Sequence, residues 1–168
     1  PTTAIMQLDG ANWTLMEQLP SSQRVAAADI DHDGDLDLLL MDTGQHYILA
    51  NDGQAGFDDV TASSTMADVS PIRRVVFSDF DDDRDVDFFA LSDAAVHLYS
   101  NNRDGTFSDV APALGLPQIA AQTLTAEDFD QDGYMDLVLA TDTGTELWHN
   151  GAGVSFAQQQ TVSLTDVK

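Results

Sequence analysis

The chain has 168 residues, 43% of them hydrophobic, with 29 acidic against 6 basic side chains and a formal charge of −23. That is the size of one domain with a real core, and only Glu17, Glu127 and Glu146 are glutamates, so the acids are nearly all aspartates interleaved with Phe, Leu, Val and Tyr rather than a disordered acidic tail. A surface this negative repels phosphate, which excludes nucleic acid and anionic membranes as partners. The apolar runs are about half the roughly 20 residues a bilayer span needs, so no membrane insertion is expected, and the absence of cysteine excludes disulfides and thiol chemistry.

Taken in chain order, the pattern is a repeat. Residues 1–20 read as a partial blade-like unit, with strands around Ala4–Gln7 and Asn12–Glu17. Residues 21–69 form the first full unit: an apolar strand over Val25–Ile30, an acidic loop, a nearly continuous apolar strand over Leu36–Met41, a third strand over Tyr47–Ala50 and a fourth at Phe57. Residues 70–118 repeat this with Val75–Phe80, Val86–Leu91, His97–Ser100 and Phe107. Residues 119–160 repeat it again with Leu124–Phe129, Met135–Ala140, Glu146–His149 and Phe156. The first loop aspartates Asp29, Asp79 and Asp128 are 50 and 49 residues apart. Asn51, Asn101 and Asn150, and Phe57, Phe107 and Phe156, hold the same register. Residues 161–168, containing Ser163–Val167, resemble the opening strand of a further unit. The second strand of each unit is apolar without alternation, as a strand covered on both faces is. No stretch carries a capped 3.6-residue period, so the expected fold is all-β: a single domain of four-stranded propeller blades, three full and one partial at the termini.

Each acidic loop has the spacing D-x-D-x-D-[G/R]-x-x-D. Loop one offers Asp29, Asp31, Asp33 and Asp37, with the carbonyl of Asp35. Loop two offers Asp79, Asp81, Asp83 and Asp87, with the carbonyl of Asp85. Loop three offers Asp128, Asp130, Asp132 and Asp136, with the carbonyl of Tyr134. Calcium takes about six to eight hard oxygens at about 2.3–2.6 Å, which such a loop supplies locally, and four carboxylates in nine residues repel one another unless a cation neutralises them. Three calcium sites are therefore expected, between the first and second strands of each unit. Position twelve holds Leu40, Ala90 and Leu139 rather than Glu, which excludes an EF-hand. Position six is Gly34, Arg84 and Gly133, so loop two is expected to bind calcium more weakly or with altered geometry, its arginine forced into a backbone conformation that glycine adopts freely.

The segment Glu127-Asp-Phe-Asp-Gln-Asp-Gly-Tyr-Met-Asp-Leu-Val-Leu resembles the calcium loop of FG-GAP/VCBS repeats, found in integrin α-subunit propellers and bacterial surface proteins. Asn101-Asn-Arg-Asp-Gly-Thr-Phe-Ser-Asp-Val-Ala-Pro-Ala-Leu-Gly-Leu is similar to blade endings of the ASPIC/UnbV and cartilage-acidic-protein type. The resemblance implies a β-propeller with one calcium per blade. The Phe-Gly/Gly-Ala-Pro signature of integrin blades is missing, so integrin-like ligand binding is not implied, and such propellers usually have seven blades where this chain has fewer than four.

His32, His46, His97 and His149 are read as surface or packing residues, since no H-E-x-x-H or G-x-S-x-G motif accompanies them. Nothing in the sequence assembles a nucleophile with a base, so the chain is not expected to be an enzyme. The favoured function is an extracellular or cell-surface structural or adhesion module, rigidified by calcium. It is expected to self-associate head to tail by strand exchange into a ring or filament, with a protein or glycan as a further ligand. The alternatives are a carbohydrate-binding or carbohydrate-processing propeller, its aromatic rim at Tyr99 and Trp148, or an excerpt of a larger seven-bladed surface protein. Pro1 opens the chain without a basic and apolar leader, as expected if a signal peptide has been removed or was never included, and Asn12-Trp-Thr is an N-glycosylation sequon.

Overall fold

The computed structural model describes residues 3–54, 56–67 and 69–163. Fourteen strands follow one another without a helix among the described residues. An N-terminal hairpin pairs β1 (Thr3–Asp9) with β2 (Asn12–Leu19). The first four-stranded sheet is β3 (Arg24–Ala28), β4 (Asp37–Asp42), β5 (Gln45–Asn51) and β6 (Phe57–Asp59). The second is β7 (Arg74–Ser78), β8 (Asp87–Leu91), β9 (Val96–Asn101) and β10 (Phe107–Asp109). The third is β11 (Thr123–Glu127), β12 (Asp136–Ala140), β13 (Gly144–Asn150) and β14 (Phe156–Ser163). Each is an antiparallel meander with neighbours in chain order, the arrangement of a propeller blade.

The strands expected in the hairpin and in the three full units are present, but the first strand of each sheet ends earlier than its apolar pattern does. It stops at Ala28, Ser78 and Glu127, the residue before the first loop aspartate, because that carboxylate takes up the loop's own N–H groups. Asp79 accepts from the N–H groups of Asp83 and Arg84, and Asp128 from those of Asp132 and Gly133.

One expectation needs correcting. Thr161–Ser163 do not open a new unit; they extend β14, opposite Glu146, Thr145 and Gly144. The cause is β13, which begins at Gly144 rather than Glu146 and so offers a longer edge to pair. The rest of the expected tail strand, residues 164–168, lies outside the described residues.

The core lies between the sheets, and the two faces of each second strand explain its unbroken apolar run. In β4, Leu38 and Leu40 face the N-terminal hairpin, where they meet Ile5 and Leu19. Leu39 and Met41 face the second sheet, where they meet Phe88, Ala90 and Tyr99. In β8, Phe88 and Ala90 point back to the first sheet, and Phe89 and Leu91 point on to Leu124, Leu137 and Leu139 of the third. Phe88 is fully buried, with ring centroids 5.1 Å from Tyr99 and 5.1 Å from Phe107. Phe88→Ala is expected to cost about 3–5 kcal/mol, the usual range for a buried phenylalanine, and urea unfolding measures it.

Candidate metal centre

The three loops share one backbone. Position four is left-handed in each, at His32 (φ 61), Asp82 (φ 59) and Gln131 (φ 65), and so is position six, at Gly34 (φ 98), Arg84 (φ 74) and Gly133 (φ 97). Two left-handed residues fold the loop back so that its carboxylates converge. The position-five carboxylates Asp33, Asp83 and Asp132 each accept the N–H of position seven at 2.9 Å. Arg84→Gly removes the cost of a side chain at positive φ, about 1 kcal/mol. A melting midpoint raised with and without calcium, together with tighter calcium binding by calorimetry, is the expected result.

The structure brings the expected ligands together unequally. In loop two, oxygens of Asp79, Asp81, Asp83 and Asp87 all lie within 4.8 Å of one another. In loop one the group is Asp29, Asp31 and Asp33. Asp37 is outside it, since its two oxygens accept the N–H groups of Ile30 and Asn51, each at 2.8 Å. In loop three there are two groups, Asp128 with Asp130 and Asp132, and Asp130 with Asp136 and His149. The position-seven side chains go elsewhere. Asp35 packs so close to Gly53 that a Cβ there would lie 2.6 Å from its Oδ2. Buried Asp85 is held by the Arg103 guanidinium and lies 3.4 Å from His32 Nε2. Tyr134 donates its N–H to Asp132.

Burial and mutual repulsion leave loop two strained in charge. Asp87 is 1% exposed, and its pKa is pushed up to about 7, first by burial and then by Asp81 and Asp83, against the N–H of Asn101 that favours its ionised form. Burial, then Asp83 and Asp79, also raise Asp81. Asp87 Oδ2, Asp81 Oδ1 and Asp29 Oδ1 are buried and accept no hydrogen bond. An acceptor-only oxygen left this way costs free energy unless a cation meets it. These clusters can hold a metal ion.

The loops also join the sheets. Asn101 donates Nδ2–H to the Ile30 carbonyl of loop one at 2.9 Å, and Asn150 donates to the Phe80 carbonyl of loop two at 2.8 Å. Asn101 and Asn150 are thus inter-sheet ties, whereas Asn51 donates Nδ2–H to the Leu36 carbonyl of its own unit at 3.1 Å. A cleft of about 250 Å³ opens beside the first tie, lined by Ile30, Asp31, His32, Asp85, Asn101, Arg103 and Gly105.

A second arrangement is invisible in the sequence pattern. His97 Nδ1 lies 2.7 Å from Asp109 Oδ2, and its Nε2 lies 3.1 Å from Ser92 Oγ. The connectivity is that of a hydrolase triad. Ser92, however, is 1% exposed, and its Oγ accepts the N–H groups of Ala94 and Ala95, so the hydroxyl pins the β8–β9 turn and presents no nucleophile to solvent. The remaining histidine, His46, is buried with Nε2 3.0 Å from the Met66 carbonyl, and burial lowers its pKa.

The sheets and loops together define an all-β, propeller-like chain with acidic strand-to-strand loops. Residues 79–139, from loop two into β12, match the model of the FG-GAP-like repeat. No curated protein matches the chain. Among solved structures it is similar to an Agrocybe aegerita lectin that specifically recognises non-reducing terminal N-acetylglucosamine, with 18% identity and a TM-score of 0.51 over 83% of this chain. The chain spans 38% of that lectin. A second likeness, to the Photorhabdus luminescens Tc holotoxin pore, has 18% identity and a TM-score of 0.43, covering 96% of this chain and 8% of that one.

Proposed function

We propose that the chain is a non-enzymatic, calcium-binding propeller module of the extracellular or cell-surface kind, with one ion in each of its three acidic loops. The observation that carries this reading is the buried, unpartnered Asp87 Oδ2 among Asp79, Asp81 and Asp83. In this reading Asp29, Asp31 and Asp33 hold the ion of loop one. The four loop-two carboxylates hold the second ion, and Asp128, Asp130 and Asp132 the third. The hard, all-oxygen donor sets of loops one and two suit calcium, and millimolar extracellular calcium suits loops of this modular type. The ions of loops one and two would neutralise loops that also tie one sheet to the next, so calcium would rigidify the stack. Partners in this reading are further copies of the chain, joined head to tail, or a protein or glycan ligand. Calcium titration by calorimetry on the chelator-stripped protein tests it; no heat of binding up to 10 mM, roughly ten times an extracellular level, would overturn it.

A second reading, glycan binding, is favoured by the cleft between loop one and the β9–β10 turn. There Asp31, His32, Asp85 and Arg103 offer donors and acceptors around a mostly apolar surface that includes Ile30, and the lectin likeness points the same way. Titration with N-acetylglucosamine, with Arg103→Ala as the control, tests it.

A further inference from the structure

Loop three has a donor that the other two loops lack. His149 directly precedes the landmark Asn150, where the first and second repeats have Ala50 before Asn51 and Ser100 before Asn101. From β13 the imidazole reaches the loop. Its Nδ1 lies 3.1 Å from Asp136 Oδ1 and 3.3 Å from Asp130 Oδ2. Asp130 is shared between two groups: its Oδ1 accepts the Asp132 N–H inside the loop, and its Oδ2 faces His149. The contrast with loop two lies in the position-nine carboxylate. Asp87 joins its own loop's aspartates, whereas Asp136 joins Asp130 and the imidazole, while its Oδ1 also accepts the Asn150 N–H at 2.8 Å and its Oδ2 the Phe129 N–H at 3.3 Å.

The surroundings differ as well. A cavity of about 380 Å³ opens over this group, lined by Phe129, Asp130, Asp136, Leu147, His149 and Gln159. The same place in the first sheet, at Ile30, Asp31, Asp37, Ile48 and Ala50, holds a smaller cavity of about 170 Å³, walled on its other side by Asp104, Gly105 and Phe107. Phe129, on the wall of the larger cavity over His149, is 49% exposed. A metal ion held by Asp130, Asp136 and His149 would face that cavity.

We propose that Asp130, Asp136 and His149 form a second type of metal site, selective for zinc or a similar imidazole-accepting divalent ion, with its fourth position facing the cavity. The proposal rests on the reading that the loop-three carboxylates serve as cation ligands. One nitrogen and two carboxylate oxygens are a donor set that zinc takes and that calcium, which prefers oxygen alone, takes poorly. Neighbouring ligands of a tetrahedral ion with bonds of about 2.0 Å stand about 3.3 Å apart, which is the separation His149 Nδ1 already has from both carboxylates. Coordination through Nδ1 requires the neutral ring to carry its proton on Nε2. Asp130 can serve the calcium group or the zinc group, so the two ions compete at loop three and at no other loop.

Zinc and cobalt(II), each added alone to the chelator-stripped full chain and again in 1 mM calcium, provide the test. The expected result is one zinc equivalent per chain that survives calcium, and a cobalt visible spectrum with nitrogen and oxygen coordination. His149→Ala should weaken zinc binding at least thirtyfold, with calcium binding at loops one and two unchanged. Equal zinc affinity in wild type and His149→Ala, or zinc displaced completely by 1 mM calcium, overturns the proposal. Should the variant not fold, ring-proton NMR of the wild type decides. Zinc below one equivalent must shift the His149 resonances, and shifts confined to His32, His46 or His97 overturn it. Zinc binding that depends on His149 in a chain that takes up no calcium supports this site while sinking the calcium reading of loops one and two.

Discussion

Stripping calcium with EGTA is expected to lower the melting midpoint by about 15–30 °C. An ion that binds only the folded chain adds RT ln(1 + [L]/Kd), about 2.7 kcal/mol per site at a hundredfold excess over Kd, so three sites add about 8 kcal/mol. For a chain of this size each kcal/mol is worth about 2–4 °C. The effect is concentrated because the loops sit where sheets meet. Asn101 and Asn150 carry the tie from one sheet into the loop of the sheet before it, and the loop they grip is the one whose carboxylates repel. Three divalent ions also offset six of the 23 net negative charges. Differential scanning calorimetry with and without EGTA measures the shift, and an unchanged midpoint would show that the loops are ordinary solvated turns.

The sheets were legible because repetition is a stronger signal than propensity. Asp29, Asp79 and Asp128 set a period that the Asn and Phe landmarks confirm independently, and the unbroken apolar runs of β4 and β8 state that both faces are covered. The loops were legible as acidic metal-type loops for the same reason. Which carboxylates meet was not, because that depends on where backbone N–H groups point. Asp37 and Asp87 hold the same repeat position, yet Asp37 gives both oxygens to N–H groups and Asp87 leaves one free. Sequence spacing also drew attention to Arg84 at position six and missed position four, where His32, Asp82 and Gln131 are left-handed without a glycine to mark them. Ser92 and His97 carry no periodic signal, and Asp109, which repeats Asp59, gives no sign of them; the turn and the β9–β10 pairing bring the three together. His149 did leave a trace: it alone among the histidines precedes an Asn landmark.

Asp87→Asn should change the sign of its effect with calcium. Without the ion, the variant removes a buried charge that faces Asp81 and Asp83, while an amide oxygen still accepts the Asn101 N–H now donated to Asp87 Oδ1 at 2.8 Å. At pH 8 in EGTA the wild-type carboxylate is mostly ionised, given its pKa of about 7, and the neutral amide is the more stable side chain by on the order of 1–3 kcal/mol. With saturating calcium the order reverses, because the variant loses an anionic ligand from the most complete of the three clusters, and affinity at loop two falls by at least about tenfold, or 1.4 kcal/mol. Asp37→Asn is the control. Its oxygens serve backbone N–H groups outside the loop-one cluster, so it should destabilise the fold by about 1–3 kcal/mol whether calcium is present or not. Melting curves of both variants in calcium and in EGTA give four comparisons with wild type. Only a reversal confined to Asp87 fits an ion at loop two, and a variant destabilised alike in both conditions would make Asp87 a backbone clamp like Asp37.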